Sequence, residues 1–545
     1  MKIMRICMAQ LNPIIGDLEG NTKKILQAVA KAKAEKADVV LFSELTISGY
    51  APADLLLHDD FVKANEQCLQ EIVQASMGIC IVVGLVRINH GKGKHLFNSA
   101  AIISDGQILG YHNKCLLPTY NVFDERRYFE PGREVKTFEI KGQKIAVIIC
   151  EDIWQHSGYV DTRYAYDPVL ELVDHKPDIL LNLSASPYQF DKPDIRVEVC
   201  AKAAKTLQCP VLLCCQVGGN DDIVFDGYSV AVDDHGALRQ LGKGFVEDFF
   251  TVALSAPICK VPFQYNQMQD LYKALVLGVH DYFSKQGFNK ALLGLSGGID
   301  SALVACIAAE ALGPENIMGI AMPSQYSSEG SIHDAKQLAD NLGIGYKKIP
   351  IEKPFDDYLE MLGPHFEGKP VDVTEENLQA RIRGMILMGL SNKLGYIVLS
   401  TGNKSEMGLG YCTLYGDMCG GLGVIADVLK TQVYELSRWI NREKEVIPLS
   451  TIEKPPSAEL RPNQKDLDSL PDYGIVDKVL KAYVEDHVSA KEIASRMHID
   501  QTLVDELIRR LHAAEYKRRQ APPAIRVSKV SFSVGRRFPI VQGWG

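Results

Sequence analysis

The chain has 545 residues, 46% of them hydrophobic and 23% charged, close to the globular average. That composition excludes a mainly disordered or collagen-like chain, and no run of about 18 apolar residues reads as a membrane span. The net charge of −9 argues against wholesale nucleic-acid binding, and thirteen cysteines without one Cys-x-x-Cys pair argue against a zinc site or a disulfide framework. At the N-terminus, Asn12, Pro13 and Asp17 interrupt the apolar stretch a secretory leader needs, so a cytoplasmic protein is expected.

RICMAQLN at the start reads as a strand and NTKKILQAVAKAKAEK as an amphipathic helix. The runs ADVVLFSE, GICIVVGLVRI, NSAAIIS, KIAVIIC, PDILLNLSAS, PVLLCCQVG and YSVAVDDHG follow, each short, apolar and bounded by turn residues. So many strands this close together predict an α/β/β/α sandwich over residues 1–258. A proline-containing linker over 259–267 separates it from a second domain, 268–545. There ALLGLS, IMGIAMPS and YKKIPIE alternate with helical stretches, the pattern of βαβ units and a Rossmann-like parallel sheet. From Arg509 to the end the chain carries nine Lys/Arg and one Glu, a local +8 on an acidic protein.

Three residue types in the first half invite chemistry. Glu44 ends ADVVLFSE, Lys114 lies in YHNKCLLPTY, and Cys150 ends KIAVIIC. A thiol nucleophile needs a base for its proton and a cation for developing negative charge, and these three supply both. The segments LFSELTISGY, YHNKCLLPTYNVFDERRYF, VIICEDIW and LNLSASPYQFDK resemble the nitrilase superfamily, in particular its glutamine amidohydrolases. The resemblance implies Glu44 as general base, Lys114 as stabiliser of the tetrahedral intermediate and Cys150 as nucleophile. It further implies Tyr120 and Phe123 as walls of a glutamine pocket, and Ser186 and Lys192 as holders of the substrate's amino-acid end. Glu151 would take the substrate ammonium, and Glu125 matches an extra acid near the lysine.

In the second half, GLSGGIDSA follows a strand and opens a helix. Glycines permit a tight turn, and the helix N-terminus offers free N–H groups to phosphate. The loop lacks the Gly-Lys-Ser/Thr of a kinase-type phosphate loop and resembles the pyrophosphate loop of N-type ATP pyrophosphatases. That family adenylates a substrate oxygen. Gly294, Leu295, Ser296, Gly297, Gly298, Ile299, Asp300 and Ser301 would hold ATP, with Asp300 on Mg²⁺ and Met322, Pro323 and Ser324 at the adenine–ribose edge.

EENLQARIRG, LSTGNKSEMGLGY, YGDMCGGLGVIADVLKTQVYEL, KPPSAEL and EYKRRQAPP resemble glutamine-dependent NAD synthetases. By that resemblance Thr401, Lys430 and Ser457 approach ATP, and Glu406 is a second Mg²⁺ or substrate ligand. Asn377, Asp427 and Lys517 would contact deamido-NAD⁺. The implied partners are ATP, deamido-NAD⁺ and L-glutamine, with ammonia as an alternative donor and a tunnel for it between the sites. A homo-oligomer, no nucleic acid and no membrane complete the expectation. The basic end, with Lys517, Arg518, Arg519, Arg536 and Arg537, offers cations to polyphosphate substrates; for the four arginines a solvated charge run or an acidic subunit neighbour is the alternative. Two readings compete: an ATP pyrophosphatase that amidates another carboxylate, and a chain whose first half is an inactive scaffold.

Overall fold

The computed structural model describes residues 4–159, 164–253, 265–462, 464, 466–468 and 470–544. It falls into two units, Met1–Asp270 and Leu271–Gly545. Of the expected linker 259–267, residues 259–264 lie outside the described part.

The first unit holds two six-stranded sheets. One orders Asp248–Ala253, Arg5–Gln10, Val39–Leu41, Cys80–Ile88, Leu96–Ser104 and Gln107–Asn113. The other orders Leu238–Leu241, Val230–Val232, Val211–Cys215, Ile179–Ser184, Gln143–Ile149 and Thr137–Ile140. Side chains alternate faces along a strand. Ile145, Val147 and Ile149 therefore meet Met8, Leu41 and Val82 between the sheets. Their neighbours Ala146 and Ile148 pack outward on Ile153, Val169 and Val199 of the covering helices. The helix Leu18–Ala34 covers the first sheet through Ile25, Ala28 and Val29, and starts where Asp17 accepts from Gly20 N at 2.9 Å. Strands buried on both faces read as continuous apolar runs, as all six residues of Ile179–Ser184 do. The layering is α/β/β/α, as expected from sequence.

The second unit is built on a parallel five-stranded sheet. Its order is Gly345–Lys348, Ile317–Ala321, Ala291–Gly294, Ile397–Ser400, Leu422–Gly423. In chain order that is 3-2-1-4-5, so the winding reverses between Ala291–Gly294 and Ile397–Ser400. Ligands of open α/β sheets settle in the crevice at the carboxyl ends of strands at such a reversal. A separate helical cluster packs Val476, Leu480, Ile493, Val504, Leu507 and Leu511 around Leu409, with Phe532 against it. Among the described residues no helix is long and apolar enough to cross a membrane, and the described cysteines are free thiols.

Candidate active site

In the first unit, strand ends bring the predicted acid, amine and thiol together. Lys114 Nζ donates to Glu44 Oε1 and to Glu125 Oε1, each at 2.7 Å. Glu44 Oε1 also accepts from Asn98 Nδ2 at 2.7 Å, and its Oε2 accepts from Ala185 N at 3.0 Å. The residue before Ala185 is Ser184, whose Oγ donates to Cys150 Sγ at 3.5 Å. Gly84 lets the Glu44 loop press onto its strand, since a Cβ there would lie 2.3 Å from Leu45 N.

Cys150 sits at the turn between the strand Gln143–Ile149 and the helix Glu151–Ser157, with φ 44° and ψ −100°. A non-glycine residue there stores about 1–3 kcal/mol of strain, which its surroundings must hold. Cys150 N donates to Leu183 O at 2.8 Å. Two residues on, Asp152 accepts from Ile149 N at 3.0 Å, Cys115 N at 3.0 Å and Leu116 N at 2.9 Å. His112 Nε2 lies 3.1 Å from the same carboxylate. Asp152 thereby ties the thiol's turn to the segment carrying Lys114.

Charge in this enclosed site is tightly coupled. Burial pushes the Cys150 thiol well up, Glu44 adds to the rise and Lys114 opposes it. The sulfur therefore keeps its proton and needs a base to become nucleophilic. Burial pushes Glu125 up to about 7 against the pull of Lys114. Burial also penalises the Lys114 ammonium, but Glu125 and Glu44 together hold it well above its usual value. A base, a thiol and a fixed cation in one buried cluster can open an amide and stabilise the oxyanion that forms.

The expected pocket residues lie beside it. Tyr120 Oη donates to both oxygens of Glu151, at 3.0 and 3.1 Å, and packs its ring edge-on to Phe123. Burial raises Glu151, while Lys114 most, then Tyr120, Tyr164 and Lys192, favour its charged form. Lys192 begins the helix Lys192–Leu207 with its Nζ 5.2 Å from the Trp154 ring, and Ser186 is buried two residues past Ser184. Sequence reading missed Asn98, Ser184, Tyr50 and Tyr164. Tyr50 Oη donates to Glu125 Oε1 at 2.7 Å and Tyr164 Oη to Glu151 at 3.0 Å.

The second unit's cavity, about 310 Å³, opens at the sheet's reversal point. Gly294, Leu295, Ser296, Gly298, Ile299, Asp300 and Ser301 line it, with Thr401, Glu406, Lys430, Ser457, Met322 and Pro323. Gly297 is turned away: its φ is +76°, and a Cβ there would sit 2.2 Å from Ser331 O. Ser296 Oγ accepts from Gly298 N at 3.1 Å, and Ser301 Oγ donates to Gly298 O at 3.0 Å, which shapes the loop. Lys430 Nζ lies 2.5 Å from Asp300 Oδ2 and 3.3 Å from Glu406 Oε1. Burial pushes Glu406 up to about 8, with Lys430 opposing. Asp300 and Glu406 thus form a carboxylate pair arranged around positive charge, an oxygen donor set that fits a hard divalent cation. Arg383, which sequence reading passed over inside EENLQARIRG, also lines this cavity. Its Nε donates to Met322 O at 3.0 Å, and burial draws it down to about 10.

For four expectations the structure places the residues in contacts within the protein. Asp427, read as a dinucleotide contact, is 1% exposed and fully engaged. It accepts from Val527 N, Ser528 N and Ser528 Oγ, each at 2.8 Å, and pairs with Lys404 at 3.0 Å. Lys517 stands off the cavity lining and donates to Gly410 O at 2.8 Å and Cys412 O at 2.7 Å. Asn377 is also off the lining, with its Oδ1 accepting from Thr413 Oγ1 at 2.7 Å. At the basic end Arg518, Arg519 and Arg536 pair with Glu515, and none of the three lines the cavity.

Comparison with known proteins follows the same division. Residues 5–244 match the carbon-nitrogen hydrolase family and residues 271–521 the NAD synthase family. A glutamine-dependent NAD(+) synthetase of Synechocystis sp. is 46% identical over 99% of both chains. That of Thermotoga maritima is 42% identical over 99% of both. The solved glutamine-dependent NAD+ synthetase of Acinetobacter baumannii, in complex with ADP, superposes with a TM-score of 0.79 at 38% identity. It covers 100% of this chain and 99% of its own. The structure from Cytophaga hutchinsonii shares the fold, with a TM-score of 0.85 at 21% identity over 99% and 98% of the two chains. With both halves matched in one order and relatives aligned end to end, the chain belongs to the glutamine-dependent NAD(+) synthetase family.

Proposed function

We propose that the chain converts deamido-NAD⁺, ATP, glutamine and water to NAD⁺, AMP, pyrophosphate and glutamate. What carries the reading is one chain holding a buried Cys150–Lys114–Glu44 cluster in one unit and a pyrophosphate-loop cavity in the other.

In the first unit, Glu44 takes the Cys150 proton and the thiolate attacks the side-chain amide carbon of glutamine. Lys114 faces the oxyanion that forms. The proton returns to the leaving nitrogen, ammonia departs, and water opens the thioester to glutamate. Tyr120, Phe123, Glu151, Ser186 and Lys192 hold the substrate. Glu151 accepts the α-ammonium, and its two tyrosine hydrogen bonds fix it for that purpose.

In the second unit, Ser296, Gly298 and Ser301 hold the β- and γ-phosphates, with Gly297 giving the loop its turn. Thr401, Lys430 and Ser457 hold the remainder of ATP, and Glu406 faces deamido-NAD⁺. Asp300 and Glu406 would hold Mg²⁺, which when bound supplies screening of phosphate charge. The nicotinate carboxylate is a poor electrophile until adenylated, after which ammonia displaces AMP. Ammonia in neutral water is mostly protonated, so it is passed between the sites without mixing with solvent. The enzyme works in the cytoplasm as a homo-oligomer.

Cys150→Ala tests the assignment. Glutamine-driven NAD⁺ synthesis should vanish while ammonium-driven synthesis stays. Retained glutamine-driven synthesis would refute the nucleophile, and no AMP from deamido-NAD⁺ and ATP would refute the substrate.

A further inference from the structure

At the basic C-terminal end Arg518 and Arg536 are drawn into the fold, while Arg519 stays half exposed. Arg518 is 5% exposed, and its donors are spent inside the second unit. Nη1 donates to Met407 O at 3.0 Å and Gly408 O at 2.9 Å. Nη2 donates to Leu511 O at 2.5 Å and Glu515 Oε2 at 2.9 Å, and Nε reaches the same carboxylate at 3.2 Å. Met407 and Gly408 belong to the helix Lys404–Leu409, which carries Glu406.

That helix has six residues, far too few to persist alone. Its last carbonyls have no partners within the helix and need donors from outside. Arg518 supplies two of them, and Lys517 takes the carbonyls of Gly410 and Cys412 just beyond. The other end is held as firmly. Lys404 Nζ donates to Glu485 and Ser528 Oγ at 2.6 Å and to Val530 O at 2.9 Å, and it pairs with Asp427. Ser528 and Val530 lie in the same C-terminal stretch. One ring of that stretch, Phe532, lies 5.8 Å from Lys404 Nζ, 4.8 Å from the Arg518 guanidinium and 5.6 Å from that of Arg536.

The carboxylate of Glu406 answers to this arrangement. It accepts from Asn403 N at 3.3 Å, while Asn403 Oδ1 accepts from Glu406 N at 3.0 Å. The side chain that meets Lys430 therefore also closes the helix's first turn, and a shift of the helix moves the carboxylate. Glu515 completes the strap by taking Arg519 at 3.1 Å and Arg536 at 2.5 Å beside Arg518.

We infer that the C-terminal segment is an internal strap gripping the helix Lys404–Leu409 at both ends, and that Arg518 is the positioning residue through which it sets Glu406. The inference rests on the reading of Glu406 as a synthetase-site residue. A planar guanidinium serves two carbonyls and a carboxylate at once, which a lysine ammonium at that place cannot do.

The test uses Arg518→Met, Arg518→Lys and Arg536→Met in the full chain. Backbone hydrogen exchange over residues 403–412 is measured beside ammonium-driven NAD⁺ synthesis. Arg518→Met should speed exchange in those residues at least tenfold and lower kcat at least tenfold. KM for ATP should move less than threefold, and the rate of Cys150 alkylation should not change. Arg518→Lys should recover part of both losses. Arg536→Met should give a smaller rise in exchange in the same residues, and carries the test if Arg518→Met does not fold. Wild-type exchange in the 403–412 segment of Arg518→Met would overturn the inference. So would faster exchange spread evenly over the second unit, or a loss confined to KM for ATP, the mark of a direct phosphate contact. If the wild type makes no NAD⁺ from ammonium, the functional reading fails, and the exchange data still decide the strap.

Discussion

Replacing Lys114 by methionine puts the reasoning about the first site at risk most directly. The Lys114 side chain is 1% exposed, between Glu44 at 0% and Glu125 at 5%. Methionine fills the stem's space but leaves two buried carboxylates facing each other. Removing one partner of a buried ion pair costs about 3–5 kcal/mol. Part of that cost is recovered if Glu125 takes a proton, which it already does readily, at about 7 instead of 4.5. A carboxyl raised in the folded state stabilises below its unfolded value, and that contribution is lost as pH rises through the folded value. For the wild type the window runs from 4.5 to about 7. Without the lysine the largest influence lowering Glu125 is gone and only the Tyr50 hydrogen bond opposes burial, so the variant holds its proton to higher pH than the wild type. From pH 6 to 8 the variant then loses more stability from this group than the wild type does. The stability gap should widen as pH rises from 6 to 8, read by urea unfolding of the full chain at both pH values. Glutamine hydrolysis should fall by about 10²–10³, the usual loss for one oxyanion donor. Hydrolysis within tenfold of wild type, or a gap that does not change from pH 6 to 8, would refute the account.

Gly297→Ala should lower kcat/KM for ATP at least tenfold and leave glutamine hydrolysis unchanged, because its Cβ meets Ser331 O at 2.2 Å and its φ of +76° costs a side chain about 1–2 kcal/mol. A normal ATP dependence would show that the loop tolerates the shift. Asp427→Asn should lower the second unit's stability by about 3 kcal/mol, since Lys404 loses a buried counter-charge. Unaltered melting with only a raised KM for deamido-NAD⁺ would restore the substrate-contact reading. Glu151→Gln should raise KM for glutamine at least tenfold while ammonium-driven synthesis stays at the wild-type rate. A change in the ammonium rate instead would remove Glu151 from the glutamine pocket.

What the sequence made legible were the residues at the ends of strands. Glu44, Lys114 and Cys150 each close or follow an apolar run, and a polar group there has few structural duties to explain it. The same holds for the loop from Ser296 to Ser301 at the reversal of the second sheet, where the fold itself leaves a crevice. Asn98 and Ser184 were invisible for the opposite reason. Asn98 lies beside Ser99 within the strand Leu96–Ser104 and Ser184 closes Ile179–Ser184, and only the partner each meets in the fold turns them into site residues. The contacts of Asp427 and Arg518 were hidden for a further reason. Each sits in a segment that resembles a ligand-binding motif, but its partners lie about a hundred residues away in sequence, at Val527 and Ser528 or at Met407 and Gly408. A local sum of +8 describes a field felt at a distance, and such a field weakens with every solvent ion between charge and ligand. A buried guanidinium follows another rule. Leaving its donors unmade costs more than any distant phosphate returns, so it is claimed by the nearest carbonyls and carboxylate that the fold can place. Charge counting therefore located the basic segment but not its contacts within the fold, where the one acid in the run, Glu515, draws in three of its arginines.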